Sequence, residues 1–77
     1  MSDLTRVYVE ETHESPFAVR IETGGHVLTG DEPASMGGAD LGPAPYQMLT
    51  AALGECTSMT VRWYAHEQDW PLEHVIV

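Results

Sequence analysis

The chain has 77 residues, of which 43% are hydrophobic, and this is enough for one small domain with a single core. Twelve acidic residues stand against three arginines and no lysine, so the formal net charge is −9 at pH 7 with the histidines neutral. Such a charge repels nucleic-acid phosphates and anionic membrane surfaces, and we therefore expect no binding to either.

The single cysteine, Cys56, cannot form a disulfide within the chain, which argues against the disulfide-stapled class of secreted domains. The first residues, MSDLTRVYVEE, lack the basic region and apolar run of a signal peptide. The longest apolar-rich stretch contains Gln47, Glu55 and Arg62, which are costly inside a bilayer. We expect a cytoplasmic protein.

Three stretches of alternating hydrophobicity, residues 5–11, 17–23 and 26–29, predict three short strands. In the first, Val7 and Val9 lie on one face. Pro16 separates the first stretch from the second, because proline has no N–H for a ladder hydrogen bond. Gly24-Gly25 lies between the second and third, as in a two-residue hairpin. These signals predict an antiparallel meander.

Residues 30–44 are rich in Gly, Pro, Asp, Ala and Ser and have no hydrophobic period. A loop of this length is unusual in a compact domain. Two interpretations are open: a plain crossover between sheet and helix, or the rim of a pocket at the start of the helix.

A helix is predicted from Pro45 to His66 or Glu67, since proline suits the first helical turn. At 100° per residue one stripe of this helix is centred on Cys56. Its members are Leu49, Ala52, Leu53, Cys56, Met59, Thr60 and Trp63. The opposite side is nearly as apolar and carries small residues such as Ala51 and Gly54, which allow close approach. A helix that is apolar nearly all round is expected to be buried.

Residues 72–77 resemble the start of a further strand. Three short strands are too few to cover an apolar helix, so the core is expected to stay open in a single chain. We therefore predict a homodimer or a larger homo-oligomer. The fold class predicted for residues 1–77 is α+β: a three-stranded meander, a long buried central helix and the start of another strand, completed by a second chain.

Cys56 is the one residue with clear reactive potential, and the residues leave two interpretations open. A lone cysteine among apolar neighbours can be a small core residue, or it can be a nucleophile. The second needs a cation or hydrogen-bond donors to favour the thiolate. Glu55 and Arg62 project away from Cys56 on the predicted helix, so such a group has to come from another segment or chain.

The four histidines do not show metal-ligand spacing, and we expect neither a metal nor another cofactor. They are His13, His26, His66 and His74. Trp63, Tyr64 and Trp70 are interpreted as core or interface aromatics, with a ligand-binding wall as the alternative.

Two motifs carry a family resemblance: GGADLGPAPY at residues 37–46 and LTAALGECTSMT at residues 49–60. With the tail DWPLE at residues 69–73 and VIV at 75–77, they resemble the OsmC/Ohr family of thiol-dependent peroxidases. The chain looks most like the OsmC-like subgroup that is sometimes fused to α/β-hydrolase domains. The resemblance covers residues 26–77 strongly and the first strands more weakly.

The resemblance implies an α+β fold in which two chains interlock, with a reactive cysteine on the central helix. In that family the thiolate attacks the O–O bond of an organic hydroperoxide, and an external dithiol restores the thiol. Cys56 matches the peroxidatic cysteine. The implied partners are therefore a second copy, an organic hydroperoxide and a dithiol reductant, without a cofactor.

The chain departs from the family pattern at three points. The 77 residues hold no second, resolving cysteine. Tyr46 stands where the family has a glutamate ten positions before the cysteine, and Gln47 follows it. Arg20 is the nearest candidate for the family's arginine. We therefore take Cys56, Arg20 and Gln47 as the catalytic candidates and expect impaired peroxidase activity.

Because the resolving half of the pattern is missing, the sequence looks like the N-terminal half of an OsmC-like protein. The alternative is a dimer or binding module with the same fold and no enzymatic activity. In that alternative, Cys56 is a buried core residue.

Overall fold

A computed structural model describes residues 6–77. The elements are β1 (Tyr8–Glu11), β2 (Val19–Thr23), β3 (His26–Gly30), a 3-10 turn (Ala34–Met36) and α1 (Pro45–Glu67). This confirms a small α+β domain with three strands followed by one long helix. The chain forms two compact units, residues 1–47 and 48–77, which are described separately.

The three strands form one antiparallel sheet in the order β1-β2-β3, which confirms the predicted meander. Ile21 pairs with Val9 on one side and with Leu28 on the other, so these apolar residues share one face of the sheet. Arg20 pairs with Glu10 and therefore lies on the opposite, polar face. The alternation read from the sequence thus sets the register.

The β2–β3 turn confirms the hairpin signal. Thr23 pairs with His26, which leaves Gly24 and Gly25 as a two-residue loop. Both glycines have positive φ, 55° and 81°. This is the requirement of a type I′ turn, which glycine meets at little steric cost.

β1 is shorter than the predicted stretch of residues 5–11. It begins at Tyr8, while Thr5 lies outside the described residues. By the register, Val7 would pair with Thr23. There the Thr23 hydroxyl donates to the carbonyl of Arg6 at 2.9 Å. A side-chain hydrogen bond thus lies beyond Tyr8–Glu22, the last backbone pair of the two strands.

β2 begins at Val19, two residues later than predicted. The Oγ of Ser15 accepts the N–H groups of Phe17 and Ala18, at 3.2 and 3.0 Å. Those two donors are therefore used by a local serine turn and not by the sheet.

The loop of residues 31–43 is tightly held to the end of β3. The N–H of Asp31 donates to the carbonyl of Pro43 at 3.2 Å, and the N–H of Asp40 donates to that of Glu32 at 3.1 Å. A Cβ at Gly38 would overlap the Glu32 carbonyl, and one at Gly42 would overlap the Thr29 carbonyl. The backbone approaches itself here so closely that only glycine fits.

The start of α1 at Pro45 is as predicted, and Gln47 stabilises it. The side-chain oxygen of Gln47 accepts the N–H of Ala44 at 2.9 Å. With Ala44 as the N-cap and Gln47 at the third helical position, this is one half of a capping box. Alanine has no hydroxyl with which to supply the other half.

The helix ends at Glu67 in a Schellman motif. Trp70 N–H donates to the Ala65 carbonyl at 2.8 Å and Asp69 N–H donates to the His66 carbonyl at 3.1 Å. Asp69 takes the left-handed conformation with φ 58°. Glycine or asparagine is usual at this position, so an aspartate is under some strain.

The predicted strand at residues 72–77 is wrong, because these residues have no strand structure. They lie along α1 instead. Arg62 donates to the carbonyls of Leu72 and Glu73, at 2.6 and 3.4 Å, and Val77 lies 3.9 Å from the position a Cβ on Gly54 would take. Within residues 48–77 there is no strand to pair with, so the segment packs on the helix.

The prediction of a buried helix is wrong for the single chain. Of the residues of α1, only Ala65 is buried. The side that carries Gly54, Ser58 and Ala65, here called the small-residue face, is partly covered because the C-terminal segment lies on it. The stripe around Cys56 is exposed. No helix in the described residues is both long and apolar enough to span a bilayer.

Candidate functional site

Cys56 lies near the middle of α1 as an exposed free thiol. Its neighbours on the same stripe are also uncovered: Leu53 is 64% exposed, Met59 62% and Trp63 61%. The Cys56 stripe is the predicted set of Leu49, Ala52, Leu53, Cys56, Met59, Thr60 and Trp63. The single chain does not bury Cys56 in a core, so the thiol is open to a reagent in solution.

The surroundings of the Cys56 sulfur hold no group that would stabilise a thiolate. Among residues 6–77, no side chain forms a hydrogen bond or an ion pair with it. The hydroxyl of the adjacent Thr57 donates to the carbonyl of Leu53 at 2.9 Å, one turn back along the helix. Arg62 was predicted to project away from Cys56, and it donates to the backbone carbonyls of Leu72 and Glu73.

Arg20 lies on β2 with its guanidinium paired to Glu22, two residues along the same face. Both side chains are about half exposed, 46% and 49%. An exposed ion pair of this kind contributes little to stability and is easily exchanged for another anion. Arg20 belongs to the first compact unit and Cys56 to the second, so neither unit by itself joins the two residues.

Gln47 is held at the start of α1 by its hydrogen bond with Ala44. Nine residues separate it from Cys56 along the helix, a rise of about 13 Å. Its amide therefore cannot contact the Cys56 thiol of the same helix. The observed role of Gln47 is structural, and its catalytic assignment stays a prediction.

Asp31 is the best-connected side chain in the first unit, and sequence reasoning missed it. It is only 3% exposed. Its carboxylate accepts from the Ser15 hydroxyl at 2.8 Å and from the N–H groups of Glu32, Ala39 and Leu41 at 2.7, 3.1 and 3.2 Å. An aspartate that opens a Gly- and Pro-rich loop is a recognisable signal for such local bonding.

These partners determine the charge of Asp31. Burial by itself raises the pKa of its carboxyl group, but the hydrogen bonds from Ser15 and the three backbone donors outweigh it and lower the pKa below its ordinary value. All four donors come from the loop or the turn before β2. Asp31 is therefore an organiser of the loop of residues 31–43, with no acceptor left for catalysis.

The end of α1 and the residues after it form a second candidate site, an aromatic groove. It is lined by residues 60–61, 63–65 and 70–72 and has a volume of about 420 Å³. The rings of Tyr64 and Trp70 meet edge to face, with 5.5 Å between centroids. Trp63 and Trp70 are 61% and 58% exposed, so the chain itself does not use them as core residues.

No group of three or more histidine, cysteine or acidic side chains within residues 6–77 is arranged to hold a metal ion. The four histidines are distributed among separate segments.

Comparison with known proteins returned no match. No family model matches the chain, and no curated protein or solved structure is similar to it at a significant level. The OsmC/Ohr resemblance therefore rests on the motifs in the sequence alone and stays a prediction.

Proposed function

We propose that this protein reduces organic hydroperoxides with Cys56 as the nucleophile. The observation that supports this is the exposed free thiol at the centre of α1, on the apolar Cys56 stripe. An apolar surround favours a hydroperoxide with a hydrocarbon group over hydrogen peroxide. The OsmC/Ohr-like motif around Cys56 supports the same chemistry.

The reaction has an oxidising step at Cys56 and a reducing step with an external dithiol. The Cys56 thiolate attacks the terminal oxygen of the hydroperoxide; an S–O bond forms, the O–O bond breaks, and the leaving alkoxide takes up a proton to become an alcohol. Sulfur is oxidised to a sulfenic acid. A thiol of an external dithiol then displaces water to give a mixed disulfide, and its second thiol releases Cys56 as a thiolate.

The missing resolving cysteine predicts impaired turnover. The chain has no second thiol to trap the sulfenic acid, so that species must wait for the external reductant. Excess hydroperoxide then competes and drives the sulfur on to sulfinic acid, which a dithiol cannot reduce.

The proposal includes a cytoplasmic homodimer with an OsmC-like fold, in which a second chain covers part of α1. This is supported by the many large apolar side chains exposed on the single chain, among them Leu49, Leu53 and Met59. The thiolate also needs a cation that the second unit does not supply. We assign this role to Arg20, because its surface pair with Glu22 is readily exchanged, and we keep Gln47 as a secondary candidate.

The test is the intact mass of the protein after brief exposure to cumene hydroperoxide in the presence of dimedone, which traps sulfenic acids. We expect one adduct on the wild type and none on Cys56→Ser. An unmodified wild type whose thiol is still titratable after denaturation would contradict the proposal.

Two matched variants test whether the reactivity of Cys56 depends on its position and on Arg20, or on exposure alone. In the double variant Cys56→Ser/Thr57→Cys the thiol moves by one position on the same helix, and we expect at least about tenfold slower trapping. Arg20→Gln should also slow trapping by about tenfold, because a thiolate that loses a nearby cation is less favoured over the thiol. Equal rates in all thiol-bearing variants would remove the roles of position and of Arg20.

A second function, assembly without catalysis, is favoured by the exposed apolar surface itself. If Cys56 is only an interface residue, the melting temperature should rise with protein concentration while the thiol stays inert to hydroperoxide. Concentration-dependent melting together with dimedone trapping would support the peroxidase.

A further inference from the structure

The aromatic groove holds both tryptophans of the chain beside Tyr64, around a space of about 420 Å³. This volume is within the range of small-molecule sites. Its lining is almost free of polar atoms. A ligand that binds here is therefore held by contact with hydrocarbon and with the faces of aromatic rings.

Two acidic residues lie next to residues of the groove, at positions where the backbone favours other residue types. Glu67 follows Trp63 by four residues and so lies next to it on the helix surface. Asp69 directly precedes Trp70 and has φ 58°. The C-terminus of a helix favours positive charge, and the left-handed region favours glycine. Residues that oppose local preferences in this way are a feature of functional sites.

The one strong cation in the second unit does not neutralise these acids. Residues 48–77 contain four acidic residues and a single arginine, Arg62. Its guanidinium donates to the carbonyls of Leu72 and Glu73. The second unit, which contains the groove, therefore carries a surplus of negative charge.

We propose that the aromatic groove binds a hydrophobic cation, such as a quaternary ammonium compound with an apolar substituent. A cation over the faces of Trp63, Tyr64 and Trp70 gains cation–π attraction that a neutral ligand lacks. Glu67 and Asp69 add a favourable field, and the net charge of −9 attracts cations from solution. This site shares Thr60 and Trp63 with the Cys56 stripe. It does not use Cys56, and the proposal does not rest on peroxidase activity.

The full chain reports directly on the site, because its two tryptophans both line the groove. Tryptophan emission is titrated with benzyltrimethylammonium, with the neutral benzyl alcohol and with the anionic phenylacetate. We expect saturable binding of the cation, at least about fivefold tighter than that of the alcohol, and no binding of the anion. Added salt should weaken the cation's binding.

Variants assign the contributions. Trp70→Leu keeps an apolar side chain without a ring and should weaken calorimetric binding of benzyltrimethylammonium about tenfold, whereas Trp70→Phe should keep part of it. Glu67→Gln and Asp69→Asn should each weaken binding about twofold to threefold at low salt. Glu55→Gln removes an acid three turns away from Glu67 and is the matched control, with no expected change.

Two results would overturn the proposal: equal affinity for the cation and the alcohol, or no binding of the cation. Cys56→Ser should bind the cation as the wild type does. Loss of peroxidase activity is therefore measured at Cys56, whereas loss of cation binding is measured with the Trp70, Glu67 and Asp69 variants.

Discussion

The loop of residues 31–43 finds its hydrogen-bond partners within the chain, whereas the apolar side chains of helix α1 stay exposed in the single chain. The loop has no hydrophobic period, yet the Asp31 carboxylate alone accepts four hydrogen bonds within the first unit. The helix is long and apolar nearly all round, yet only one of its residues is buried. Hydrogen bonds can be satisfied locally, whereas an apolar face needs material from elsewhere in space.

The largest expected effect is a substitution where the loop backbone approaches β3. Gly42→Ala should destabilise the protein by about 3 kcal/mol, because the added Cβ would overlap the Thr29 carbonyl and the backbone would have to move. Denaturant unfolding measures the change. Gly25→Ala, in the open hairpin turn, is the control and should cost less. An unchanged Gly42→Ala would show that the loop is not held as described.

Acid should weaken the loop through Asp31. Its pKa is lowered in the folded state, so its contribution is fully present above its ordinary value and is lost as pH falls through the folded value. Relative to Asp31→Asn, the wild type should be more stable at pH 7 and should lose that advantage below about pH 4. The measurement is denaturant unfolding of both proteins from pH 2 to 7. Parallel pH curves would contradict the assigned role.

In helix α1 a glycine-to-alanine substitution should stabilise the protein, in contrast to the loop. Gly54→Ala should stabilise the protein by about 1 kcal/mol, because alanine has the higher helix propensity and the added Cβ meets only Val77 at an ordinary contact distance of 3.9 Å. Thermal unfolding measures the shift. Gly54→Leu is the comparison, since its side chain would displace the C-terminal segment. A loss of stability in Gly54→Ala would mean that this face is packed more closely.

The smallest effect concerns the helix start. Ala44→Ser supplies the hydroxyl missing from the capping box that Gln47 half completes, and we expect a gain of about 0.5 kcal/mol. In the Gln47→Ala background the same substitution tests whether the two halves act together. Equal gains in both backgrounds would show independent caps.

The sequence predicted the elements that depend on short-range rules. Alternation put Val7 with Val9 on one face of the first strand and Val19 with Ile21 on one face of the second. The Gly24-Gly25 pair marked the hairpin, and Pro45 marked the helix start. The boundaries moved where side chains captured backbone groups, as Ser15 does before β2. Such contacts are decided by one hydroxyl and leave no periodic signal.

What the sequence could not give is the environment of α1. An apolar helix predicts that something covers it, but the pattern does not say what. Residues 72–77 were predicted as a strand, and they lie on the small-residue face because Arg62 captures two of their carbonyls. The candidate site was identified by residue type, and Cys56 is exposed as a nucleophile requires. Asp31 was not predicted as a site, and a ligand-binding wall of Trp63, Tyr64 and Trp70 was only the alternative interpretation.

The most direct test compares the two faces of α1 by the rate at which a thiol reagent modifies the native protein, at a concentration low enough that the chain is monomeric. Cys56 in the wild type is compared with the thiol of Cys56→Ser/Ser58→Cys, which lies on the small-residue face. We expect Cys56 to react within about tenfold of its rate in denaturant. We expect the relocated thiol to react more slowly than Cys56, because the C-terminal segment lies over it. A Cys56 that is protected by a hundredfold or more, or that reacts more slowly than the relocated thiol, would contradict the exposed Cys56 stripe.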